Sequence, residues 1–377
     1  MRIPDTARLL LAIFAMAGLS GCVALLIHAG KRAYLAGRKP AATLPALQVP
    51  AAAEQALQDA LRHGAPGLTA IVMRDGRVLF REDLGGIDPN AQFPVASASK
   101  WMTAALVMTV VDEGKLSLDA PISRYLPTFA GTAGRTTLRE LLAQTSGEGS
   151  LLDGVDIRQD PRITLAASAD AVAHRPLQDA PGTVFRYGGP GFQVAGAAVE
   201  AVTGERWSVL FDQRIARPLG MRHTYWEHLP ARGVSPSDTL DPLLQGGVVT
   251  TAQDYARFLT MLAQGGSVDG KRILSAGAVE AMETAQTLGL PMAYKPPGGG
   301  HGDMQYALGN WCERWSADRR CTLVSSPGAL GTFPWIDRQS GLYGIFFTRV
   351  RLPRIADDLT RARTAILEAY GGRDRHA

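Results

Sequence analysis

The chain has 377 residues, is 46% hydrophobic and 20% charged, and carries a formal net charge of +4. That composition excludes a disordered or collagen-like chain and leaves room for one large core or for two domains. It holds no dense Lys/Arg run with interleaved aromatics, which excludes nucleic acid as an expected partner.

Along the chain, Arg2 and Arg8 come first, then an apolar run over 9–18 and the tetrapeptide Leu19-Ser20-Gly21-Cys22. A basic start followed by an apolar core is an export signal. Its end resembles a bacterial lipoprotein signal, with Cys22 as the acylated residue, so that residues 1–22 read as a lipoprotein signal or membrane anchor. The alternative is an uncleaved membrane anchor, because apolar character continues to Ile27 and the stretch 9–27 is long enough to span a bilayer. Either reading puts the body outside the cytoplasm, tethered to the membrane and facing the periplasm or cell exterior. Residues 23–50 form an Ala/Pro-rich linker, whose Lys31, Arg32, Arg38 and Lys39 suit anionic headgroups.

A folded domain is expected over 51–372. It opens with a helix at 51–62 and strands at 68–73 and 77–82, with Asp75-Gly76 as the hairpin turn between them. The segment 97–113 is apolar all round, which predicts a buried helix ended by Gly114. Short helices and loops follow to about 240, among them a capping box at Thr137–Glu140 and a helix at 190–202. An amphipathic helix is expected at 251–264 and a mobile Pro/Gly-rich loop at 286–305. Strand patterns at 306–315, 321–326, 331–337 and 342–349 precede a closing helix at 354–370. Strands at both ends with helices between predict an α+β fold: one antiparallel sheet flanked by helices, with a mostly helical region inserted over about 115–265. With Cys22 assigned to lipid, Cys312 and Cys321 remain as a pair, and an oxidising compartment favours a disulfide between them.

Nucleophilic hydrolysis needs a hydroxyl, a base beside it and donors for an oxyanion. The chain has no Gly-x-Ser-x-Gly elbow and no HExxH, its seven histidines are scattered, and no metal or cofactor is implied. Ser97 and Lys100 are three residues apart, so on a helix they share a face, whereas Ser99 and Lys100 diverge. Apolar neighbours disfavour the charged form of Lys100, and an uncharged amine can take a proton from a hydroxyl. Chance also produces such short motifs, and a helix N-cap serine or a snorkelling lysine would account for the same residues.

The wider sequence narrows the choice. In order come FPVASASKWMTAALVMTVVDEGKLSLDAPISRYLP, TLRELLAQTSG, FRYGGPGFQVAGAAVEAVTGERW, PLGMRHTYW, GGVVTTAQDYARFLTMLAQGG and SSPGALGTFPWID. Together they resemble the serine β-lactamase-like superfamily, in the branch with class C β-lactamases, DD-peptidases and β-lactamase-like esterases, over about residues 50–370. The resemblance implies Ser97 as the acylated nucleophile, Lys100 as its activator and Tyr187 as a second base, whose ionisation the neighbouring lysine is expected to favour. By the same analogy, the amides of Ser97 and Ala329 form the oxyanion hole, with Gly328, Ser326 and Gly189 lining the substrate.

Two departures bear on substrate. The family's Tyr-x-Asn is here Tyr187-Gly188-Gly189, without the amide that binds the substrate's amide side chain. The family's Lys- or His-Thr/Ser-Gly is here Ser326-Pro327-Gly328, without the cation for a carboxylate, and Pro327 suits an edge strand. Lys295 and His301, in the Gly-rich loop, are the candidates for a replacement charge. The expected activity is hydrolysis of an ester or related acyl substrate through an acyl-enzyme. The alternatives are a peptidase for D-amino-acid or cell-wall stem peptides, or a catalytically weak binding relative.

Overall fold

A computed structural model describes residues 47–149, 162–227, 234–300 and 302–372. Cys22, the apolar run and nearly all of the linker lie outside the described residues. Helix α1, Ala51–Arg62, buries Ala53, Ala56, Leu57 and Ala60, a stripe at helical spacing. Strands β1, Leu68–Arg74, and β2, Arg77–Leu84, follow. Asp75 and Gly76 between them have φ of 52° and 77°, the mirror-image turn whose twist matches a two-residue hairpin.

Short strands come next: β3 Phe93–Pro94, β4 Phe185–Arg186, β5 Tyr225–Trp226, β6 Val248–Thr250, the hairpin β7 Ser267–Val268 and β8 Lys271–Arg272, and β9 Met292–Tyr294. The last five are β10 Gln305–Tyr306, β11 Trp311–Trp315, β12 Cys321–Ser325, β13 Phe333–Asp337 and β14 Leu342–Thr348. The main sheet has the order β10-β11-β12-β13-β14-β1-β2, and every neighbouring pair in it is antiparallel. The first strand of the described domain thus pairs with its last, β1 with β14, Ile71 opposite Ile345.

Five more helices matter here: α2 Ser99–Asp112, α3 Leu138–Leu142, α4 Leu165–Ala173, α5 Gly191–Thr203 and α6 Ala252–Ala263; α7, Ala356–Tyr370, closes the fold. On one face of the sheet α1 and α7 pack together over Leu68, Val72, Trp335 and Phe346. The other face meets α6 and, beyond it, the helical region. At its centre lies α2, buried at every residue from Ser99 to Val110. Each large apolar side chain enclosed there contributes roughly 1.5–3 kcal/mol. A disulfide joins Cys312 of β11 to Cys321 of β12. Among the described residues no helix is long and apolar enough to cross a membrane.

The structure departs from the sequence reading at three places around Ser97. Helix α2 begins at Ser99, and Ser97 lies in a separate 3-10 turn, Ala96–Ala98. The Val95 amide is held by the Val248 carbonyl at 2.9 Å, which fixes the entry to the turn. Residues 286–305 include β9, whose parallel pairing with β4 no local pattern announces. Strand β12 lies between β11 and β13 and is no edge, and Pro327 stands beyond its end.

Candidate active site

Ala96 has φ of 47°, left-handed backbone that a non-glycine residue seldom adopts. This turn presents Ser97, half-buried, toward Lys100. Lys100 is 2% exposed, and its Nζ lies 3.1 Å from Ser97 Oγ and donates to the Gln245 carbonyl at 2.8 Å. Ser99 points elsewhere: its hydroxyl donates to the Ala96 carbonyl at 2.7 Å and accepts from the Val248 amide at 3.0 Å. The lysine's partner is therefore Ser97, and Ser99 pins the turn.

Tyr187 comes from the β4–β9 pair. Its amide donates to the Tyr294 carbonyl at 3.2 Å, and the next amide, of Gly188, donates to Gln144 Oε1 at 2.5 Å. The Tyr187 hydroxyl hydrogen-bonds to Ser97. Lys100 Nζ stands 4.7 Å from the Tyr187 ring centroid, and the Trp311 indole stacks on that ring at 5.5 Å and 11°. The expected ionisation does not follow. Burial pushes the Tyr187 hydroxyl well above its ordinary pKa, the hydrogen bond to Ser97 opposes this, and Tyr294 pushes it further up. Desolvation disfavours a phenolate more than the surroundings favour it, so the resting tyrosine is a neutral hydroxyl.

Gly328 packs directly onto the turn. A Cβ there would stand 2.0 Å from the Val95 carbonyl oxygen and 3.3 Å from the Ala98 amide nitrogen, so no side chain fits. Its own amide donates to the Thr332 carbonyl at 2.7 Å. The neighbouring Ala329 is exposed, and its amide donates to no described residue. The Ser326 hydroxyl is turned inward, 4% exposed, and donates to the Gly309 carbonyl at 3.3 Å. Lys295 Nζ donates to the Gly302 carbonyl at 2.8 Å, and His301 lies outside the described residues. Among the described residues no group of His, Cys, Asp or Glu is arranged to hold a metal ion.

Sequence reasoning missed several neighbours. The Gln245 carbonyl, as a backbone group, leaves no mark in sequence. Trp311 is one of six tryptophans with nothing local to single it out. Glu148 directly follows the quoted TLRELLAQTSG block. Its carboxyl is buried, and Ser146 Oγ donates to its Oε2 at 3.1 Å. Burial raises Glu148 to about 7, against the opposing pull of Ser146 and Arg175.

The family profile described as Beta-lactamase matches residues 50–368. The chain belongs to this family. It is 32% identical to Penicillin-binding protein 4 of Amycolatopsis lactamdurans over 288 residues, 67% of this chain and 74% of that one. It is 34% identical to Esterase EstB of Burkholderia gladioli over 204 residues, 47% of this chain and 50% of the esterase. In three dimensions it resembles the crystal structure of a putative beta-lactamase from Bacteroides dorei, with TM-score 0.73 and 30% identity over 83% of this chain and 97% of the other.

The Glu148 carboxyl has a testable signature. Its pKa is raised from 4.5 in the open chain to about 7 in the fold. Below the lower value both states are protonated and folding is unaffected. Above it the unfolded chain loses its proton first, so stability falls as pH rises. The loss approaches about 3 kcal/mol once the folded group has also ionised. Glu148→Gln removes this dependence, so denaturant titrations of the two proteins from about pH 4.5 to pH 7.5 should diverge in favour of the variant. Parallel curves would contradict the assignment.

Proposed function

We propose that the protein hydrolyses an ester, or a related acyl substrate, through a covalent Ser97 intermediate. As a member of the Beta-lactamase family it is a serine hydrolase, and the observation that carries the reading is the 3.1 Å approach of Lys100 Nζ to Ser97 Oγ. With one N–H spent on the Gln245 carbonyl, an uncharged Lys100 offers its lone pair to the serine hydroxyl. Lys100 takes that proton while Ser97 Oγ bonds to the substrate carbonyl carbon. The amides of Ser97 and Ala329 hold the resulting oxyanion. As the carbonyl re-forms, the bond to the leaving alcohol breaks. The neutral Tyr187 hydroxyl gives that oxygen its proton and is reprotonated from Lys100. Water then attacks the acyl-enzyme, losing its proton through the same pair, and the acid leaves as Ser97 regains its hydrogen.

The missing cation at Ser326-Pro327-Gly328 supports esters over substrates that end in a carboxylate. Similarity to Penicillin-binding protein 4 supports a second reading, cleavage of cell-wall stem peptides. Hydrolysis of p-nitrophenyl butyrate and acylation by labelled penicillin, measured side by side, separate the two. Ser97→Ala should lower ester kcat/KM by at least about a thousandfold, and Tyr187→Phe by about a hundredfold or more. Equal rates in wild type and Ser97→Ala would sink the mechanism.

We further propose that the protein is exported and tethered at Cys22. The Leu19-Ser20-Gly21-Cys22 sequence supports this, as does a disulfide of the kind that persists in oxidising compartments. Labelled palmitate should enter wild type and not Cys22→Ala. Label in neither, with the protein still in the membrane fraction, would favour an uncleaved anchor.

A further inference from the structure

What the site offers beside Tyr187 depends on the direction in which a side chain leaves residue 189. A Cβ built on Gly189 would stand 3.2 Å from the Gly149 carbonyl oxygen, 3.6 Å from the Glu148 carbonyl oxygen and 3.8 Å from Glu148 Cβ. The 148–149 backbone thus occupies the place toward which the Asn of a Tyr-x-Asn motif would project. Neither carbonyl accepts a hydrogen bond from a described residue. The Glu148 carboxyl adds to them. Its Oε2 accepts from Ser146, and no described residue donates to its Oε1. Where an amide would offer N–H donors, this chain places two carbonyl oxygens, and the Glu148 carboxyl lies beside Gly191, its Oε2 3.4 Å from where a Cβ there would stand.

The rest of the site fits this reversal. Ser326-Pro327-Gly328 supplies no cation, and the Lys295 ammonium is engaged by the Gly302 carbonyl. A ligand group that suits buried acceptors must donate, and an ammonium brings three N–H groups and a charge.

We propose that the substrate's acyl group carries a free ammonium on the carbon next to the scissile carbonyl, received by the Glu148 and Gly149 acceptors. The proposal rests on the acyl-enzyme reading above, because Ser97 fixes where the carbonyl carbon must sit. The Arg175 guanidinium acts on the Glu148 carboxyl without a hydrogen bond to it and favours its ionised form, as a bound ammonium would.

The test compares kcat/KM for benzyl esters of alanine (each enantiomer separately), propionate and N-acetylalanine, with p-nitrophenyl butyrate as the measure of acyl transfer itself. At least one alanine ester should exceed both the propionate and the N-acetyl ester by about tenfold or more. In Glu148→Gln that preference should shrink by about tenfold, whatever happens to the neutral esters. Equal rates, or faster turnover of the propionate or N-acetyl ester, would overturn the proposal while p-nitrophenyl butyrate hydrolysis keeps the hydrolase reading. An alanine preference that Glu148→Gln leaves intact would also overturn it. If no ester is turned over, both readings fail. The wild-type comparison decides alone if Glu148→Gln does not fold.

Discussion

Burial of Lys100 beside Ser97 is the interaction on which the rest of the site depends. A lysine amine buried on a helix that is apolar on every side must find its polar partners outside that helix. Two of those within reach are the Gln245 carbonyl and the Ser97 hydroxyl. The first is brought in from the chain just before β6, and the second is delivered by a turn outside α2. That turn carries a left-handed alanine, a cost of about 1–2 kcal/mol that a loop without a task would shed. Its hold on β6 and on Gly328 keeps the strained backbone in place.

The same constraint organises the neighbouring elements. Tyr187 rests against the Lys100 Nζ and the Trp311 indole, so its ring is held between an amine nitrogen and an aromatic plane at once. Trp311 opens β11, and the next residue, Cys312, is tied to β12. Strand β12 in turn runs into Ser326, Pro327 and Gly328, and from there to the Ala329 amide. One disulfide-tied sheet end thereby links the Tyr187 ring to the proposed oxyanion donors. Rigidity of this kind is what acyl transfer requires, because an oxyanion hole acts through donors that need no rearrangement.

The sheet, its terminal strands and the central helix were legible in sequence because each is written in local periodicity or in an Asp-Gly turn. The pairing of Ser97 with Lys100 was legible from spacing, although the two are not on one continuous helix. Other features depend on contacts between distant segments. The parallel β4–β9 pair that carries Tyr187 joins segments more than a hundred residues apart. The Gln245 carbonyl acts through backbone, which any residue would supply. The direction of the Tyr187 pKa shift followed from enclosure by Phe185, Tyr306 and Trp311, not from the nearby lysine. Glu148 went unnoticed because a carboxyl in a turn is ordinarily solvated, and only the folded chain shows it enclosed.

The central claim is that Lys100 makes Ser97 a nucleophile. Intact-mass analysis after exposure to a fluorophosphonate, with the adduct mapped by peptide sequencing, tests it most directly. The account predicts one adduct per wild-type chain, on Ser97, and none within the same time in folded Lys100→Met. An adduct on Ser99 or another serine, or equal labelling of Ser97 in the two proteins, would contradict it.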